Sequence, residues 1–160
     1  VTLPPRPKEL KVDGVDPCTL LTKSQQQQLG LDAEPLRSNP NDPGQQDAKG
    51  NPGCDYGKTG SNPRYSYLIT LVPQEGADAW LREKRNVQVR PTVVANYGAV
   101  TTQLGTTQRR VCNVVVDVAQ GQSLDVQFSS ITENAFTRDQ LCQKAADGAA
   151  LAVQTLGTMR

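Results

Sequence analysis

The chain has 160 residues, 36% of them apolar, with one Trp, four Tyr and two Phe, which suits one domain with a modest aliphatic core. Seventeen Lys/Arg against sixteen Asp/Glu leave a net charge of +1, which argues against a dedicated nucleic-acid binder. No histidine is present, which removes Ser-His-Asp and Cys-His catalysis and most catalytic zinc sites, and no apolar run reaches the roughly 18 residues of a membrane span.

The opening VTLPPRPKEL carries three prolines among two cations and predicts an extended segment. Residues 1–12 are therefore expected as a Pro-rich tether and 13–160 as a single α+β domain. Asp16 caps a first turn that Pro17 suits, burying Leu20 and Leu21 beside Cys18. Thr22 and Gln25 form a T-x-x-Q capping box, Gly30 ends that short helix, and the run of glutamines reads as its solvated face. Asp32 to Gly53 is rich in Pro, Asn, Asp, Gly and Gln without periodicity, and is expected as a long exposed loop.

The next stretch, GCDYGKTG, ends like a phosphate-binding loop. Gly53 and Gly57 enclose three residues where such a loop needs four, Asp55 opposes a phosphate, and Gly60 and Pro63 stop a helix from starting at Lys58. The stretch reads instead as a hairpin strand. Gly60, Ser61, Asn62 and Pro63 make the turn, and Tyr65, Tyr67, Ile69 and Leu71 then share one face of the next strand. Ser66, Leu68, Thr70 and Val72 line the other face, and Pro73 ends it.

EGADAWLREK predicts a short helix with Ala77, Trp80, Leu81 and Lys84 on one face. Arg82, Lys84, Arg85 and Arg90 resemble a basic patch but suit the C-terminal end of a helix dipole. Three strands follow. VVANYGAVTTQ is the first. In RRVCNVVVDVAQ, Cys112, Val114, Val116 and Val118 point one way and Asn113 and Asp117 the other. In SLDVQFSSI, Leu124, Val126 and Phe128 oppose Asp125 and Gln127. Thr137 and Gln140 open a last helix whose Leu141, Cys142, Ala145, Ala149, Ala152, Val153 and Leu156 recur at helical spacing. The fold class is α+β: an antiparallel sheet of about five strands covered by N- and C-terminal helices.

Cys18, Cys54, Cys112 and Cys142 contain no C-x-x-C pair, and their wide, even spacing fits two disulfides in an oxidising compartment. Cys18 and Cys142 lie near helix starts, and Cys54 and Cys112 on strands. Joining helix to helix and strand to strand predicts the pairs Cys18–Cys142 and Cys54–Cys112.

DGVDPCTLLT, the aromatic two places after Cys54, VCNVVVDV and DQLCQKAADGAALAV together resemble a group of actinobacterial cell-envelope lipoproteins catalogued as domain of unknown function 3558. The resemblance runs from about Pro5 to Leu156. It implies a signal peptide and a lipidated cysteine ahead of the tether, neither of which lies in this sequence, and a location at the outer face of the cell membrane or in the cell wall. Such proteins usually carry C-x-W where this chain has Cys54-Asp55-Tyr56. The family looks distantly similar to PsbP-like folds and brings no catalytic residue with it.

The expectation is therefore a monomeric, extracytoplasmic, non-catalytic interaction module without cofactor or metal. Its partner would be an envelope protein, glycan or lipid, met through the Asp32–Gly53 loop; nearby Tyr65 and Tyr67 are candidate contacts, with core packing their favoured role. An alternative is a small-ligand binder with a pocket between sheet and helix. A third reading is a hydrolase using Asp117 and Asp125 as paired carboxylates beside the last hairpin turn.

Overall fold

The computed structural model describes residues 2–104 and 110–160. Along the chain come a 3-10 turn at Pro17–Thr19, helix α1 (Lys23–Gln28), strand β1 (Leu36–Arg37) and a second 3-10 turn at Pro43–Gln45. Strands β2 (Gly53–Lys58) and β3 (Tyr65–Val72), the single helical turn α2 (Ala79–Arg82) and strands β4 (Gln88–Val94) and β5 (Tyr97–Gln103) follow. Strands β6 (Val111–Ala119) and β7 (Gln122–Ser130) and helix α3 (Arg138–Met159) complete it. The strands form one antiparallel sheet in the order β1-β2-β3-β7-β6-β5-β4. The class is α+β, with seven strands where about five were expected.

The two additional strands are the edges. β1 has only two residues. β4 contains Pro91. VVANYGAVTTQ is the end of β4, a turn, and β5, with Ala95 and Asn96 at φ 50° and 70°. A two-residue turn of this kind needs positive φ at both positions. It makes Val94 and Tyr97 a mutually hydrogen-bonded pair, so residues 92, 90 and 88 also turn their backbone to β5 while 89, 91 and 93 turn outward. Pro91 therefore removes no ladder bond, and it blunts an otherwise open edge.

One sheet face packs against α3. Leu141, Ala145, Ala149, Ala152, Val153 and Leu156 meet Cys112, Val114, Val116, Leu124, Val126 and Phe128 in one buried cluster. Full burial of each large aliphatic or Phe side chain contributes about 1.5–3 kcal/mol. Both capping boxes form, Thr22 with Gln25 and Thr137 with Gln140. Only part of the glutamine run is solvated: Gln26 is buried and donates to the Leu21 carbonyl, and Gln25 reaches α3 at the Leu151 carbonyl. Tyr56 donates its hydroxyl to the Pro17 carbonyl at 2.6 Å, which draws the first 3-10 turn against β2.

That contact decides the disulfides. They join Cys18 to Cys54 and Cys112 to Cys142, not the predicted Cys18–Cys142 and Cys54–Cys112. β2 and β6 are separated by β3 and β7, so residues on them lie about 14 Å apart across the sheet, beyond disulfide reach. The helical ends lie over different strands, and each is stapled to the strand beneath it.

The first residues run in extended form along the sheet. Leu3 packs on the face opposite α3, with Ala77, Trp80, Leu81, Val89, Val100 and Val115. Arg6 grips Asp117, Leu10 N–H donates to the Val118 carbonyl at 2.8 Å, and Leu10 and Val12 are buried in the main core.

Candidate functional site

Lys58, which sits where a phosphate loop places its lysine, holds the β2–β3 turn. Its amine donates to the carbonyls of Ser61 and Pro63, each at 2.8 Å. Asp32 closes the same turn by accepting from the backbone N–H of Thr59 and Gly60, which hold its carboxyl below the usual carboxylate range.

Tyr65 and Tyr67 are core residues, not surface contacts. They pack with Phe128 and Phe136 and donate to the carbonyls of Leu29 and Lys144. Burial pushes both phenols up, and it pushes the Tyr56 phenol up to about 12. Arg82 pairs with Asp78, and Arg85 pairs with Glu75 while stacking 4.1 Å from the Trp80 ring centre, so the two are bound within the domain.

Asp117 and Asp125 lie on neighbouring strands but face Ser123 and Val115, and each has its own partner. Arg6 Nη1 donates to both oxygens of Asp117, at 3.0 and 2.9 Å, and Asn113 Nδ2 donates to Asp125 at 2.8 Å. Between α3 and the sheet the described side chains form one buried cluster. Clefts appear at the margins of that interface, one of about 490 Å³ beside Leu29 and Lys144 and one of about 240 Å³ beside Arg90 and Gln143.

The opposite face of the sheet is different. Its β5–β6 half is covered by Leu3 and the α2 segment, and the half formed by β2, β3 and β7 carries no α-helix among the described residues and is bordered by the loop that holds the Pro43–Gln45 turn. Strand alternation sends Asp55, Leu68, Gln127, Asn113 and Thr102 to this face, and the register sets them side by side across five strands. At the β2 end the row floors a cleft of about 380 Å³ walled by Leu36, Arg37, Asp47 and Asn51. At the β5 end it floors a second, of about 230 Å³, beside Trp80 and Val87.

The wall is a fixed loop. Asn51 and Gln74 exchange amide hydrogen bonds, Asp47 accepts from the Asn51 amide, and Lys49 pairs with Glu75. On the floor, Gln127 Nε2 donates to Asn113 Oδ1, and Asn113 in turn donates to Asp125. Desolvation raises the Asp125 carboxyl to about 6 and the Asp47 charge adds to the rise, while the Asn113 bond opposes it. Desolvation also raises Asp55, which has no hydrogen-bond or ion-pair partner among the described residues. Asn113, Asp125 and Gln127 are legible in the sequence as an outward face; Asp55 and Leu68 join them only once the register is known.

These features define a class: a disulfide-stapled α+β domain with α3 on one sheet face and, on the other, the short α2 beside a polar trough. The chain belongs to the family described as protein of unknown function DUF3558, whose family model matches residues 1–155. No curated protein and no solved structure matches it. Its two disulfides fit an oxidising, extracytoplasmic environment, and no helix among the described residues is long and apolar enough to cross a membrane.

Proposed function

We propose that this protein is a non-catalytic binding module of the cell envelope, lipid-anchored ahead of its N-terminal segment, and that the sheet face carrying the trough is its recognition surface. The observation that carries this reading is the Asp55–Leu68–Gln127–Asn113–Thr102 row. Hydrogen-bonding side chains stand on a rigid sheet between two fixed walls, and part of each of Leu68, Gln127 and Asn113 remains open to solvent. Rigid placement lowers the ordering cost of binding. The carboxylates are held by separate partners, which favours recognition over paired acid–base chemistry.

Amide chemical-shift mapping tests the reading. Envelope fractions of glycan, lipid and soluble protein are added to labelled protein. Shifts are expected at residues 36–55, 68–70, 113 and 125–127. Shifts confined to the α3 face, or none with any fraction, would overturn it.

A further inference from the structure

The trough has a direction and a charge. It crosses five strands, about 19 Å, and its two clefts share one floor row. A row of that length joining two clefts suits an elongated chain better than a compact molecule. Around it, Glu75 is neutralised by Lys49 and Arg85, Asp78 by Arg82 and Asp117 by Arg6, while Asp47 of the wall accepts from Asn51 and has no cationic partner among the described residues. The cation on the rim, Arg37, is turned to Asp16. Asp55 in the cleft, and Asp125 on the same sheet face but lining neither cleft, have no cationic partner among the described residues; Asn113 donates to Asp125.

We infer that the occupant of the trough is an extended peptide segment of a partner protein carrying two basic side chains, one for Asp55 and one for Asp125. Two strand spacings and two residues of rise separate these positions, about 12 Å. In an extended chain, residues i and i+4 lie on one side and about 13 Å apart, so basic residues at that spacing match the floor. Asp125 has already lost part of its water and Asp55 stays exposed at the cleft, so an incoming ammonium or guanidinium group meets a weakened hydration competitor at the first and a reachable charge at the second. Leu68 and Thr70 of β3 lie between them, offering the peptide one apolar and one polar neighbour. This inference rests on the trough face being the recognition surface.

Fluorescence anisotropy with capped, labelled nine-residue Ser/Thr peptides tests it. One peptide carries lysine at its third and seventh positions, and two others carry glutamine or glutamate there. The lysine peptide is expected to bind about tenfold more tightly than the glutamine peptide, to weaken as salt rises, and to lose that advantage in the D55N/D125N double variant. Equal affinity for all three peptides would overturn the inference, as would saturable binding of spermidine without binding of the lysine peptide. Should the double variant unfold more easily, the glutamate peptide on the unaltered protein decides by itself. A neutral oligosaccharide that shifts the same floor amides while the lysine peptide does not would end this inference and leave the binding-module reading standing.

Discussion

Gly148 of α3 lies against the ring of Tyr67 so closely that a Cβ on Gly148 would stand 2.5 Å from Tyr67 Cε2. The ring is buried, and its hydroxyl is tied to the Lys144 carbonyl. It cannot swing away, so an added methyl must push the helix off β3. Gly148→Ala is expected to lose up to about 2 kcal/mol, because overpacking of about 1–3 kcal/mol is offset by a gain of about 1 kcal/mol in helix propensity. Urea unfolding measures it, and equal or higher stability would show that the helix has room to move.

The disulfides close the segments from Cys18 to Cys54 and from Cys112 to Cys142, spanning 36 and 30 residues. The chain-entropy model assigns each about 3.5–4 kcal/mol. The loops do not overlap, so their effects are expected to be nearly additive. Replacing each pair by serine singly, and then both together, should give unfolding losses that sum. Non-reducing peptide mapping that linked Cys18 to Cys142 would refute the pairing.

Local chemistry made much of this fold readable, and long-range placement did not. The capping boxes at Thr22 and Thr137 need only three residues of context. β3, β6 and β7 announce themselves because one face of each is wholly buried. β4 hides because an edge strand tolerates Pro91 and exposed Arg90, and its turn uses Ala95 and Asn96 without a glycine. The disulfide partners follow from strand order, which alternation cannot supply. The same holds for the candidate site. Asn113, Asp125 and Gln127 are visibly outward, but only the packing of Leu3 and α2 over the neighbouring half shows where that face stays open.

Arg6 fixes the N-terminal segment through a charge pair whose carboxylate is nearly out of water. The Asp117 side chain is 8% exposed, and burial raises its carboxyl even with Arg6 lowering it. Arg6→Ala leaves that carboxylate unpaired and is expected to cost about 2–4 kcal/mol. The sign follows from linkage: a raised folded pKa means stability present at low pH and lost as pH rises, so the deficit should grow toward neutral pH. R6A/D117N should recover part of the loss, since no buried charge then lacks a partner. Urea titrations at pH 5 and pH 7.5 compare the variants, and a deficit independent of pH would assign the effect to lost packing alone.

Asp125 gives the clearest pH signature. Its carboxyl titrates near 6 in the folded protein, against about 3.9 in an unfolded chain. Between those values the folded state holds a proton that the unfolded state has released. Stability therefore falls as pH rises from about 4 to about 6, by at most about 1.4 kcal/mol per unit, and this contribution is level above that window. Asp125→Asn keeps an oxygen to accept the Asn113 bond and removes the charge that Asp47 repels. The variant should be more stable than the unaltered protein at pH 7, by about 1–2 kcal/mol, and should lose most of the slope between pH 4 and 6. Urea midpoints measured across that range check both points. An unchanged slope would mean that Asp125 reaches bulk water in the folded state, and the trough floor would then be wetter than its packing indicates.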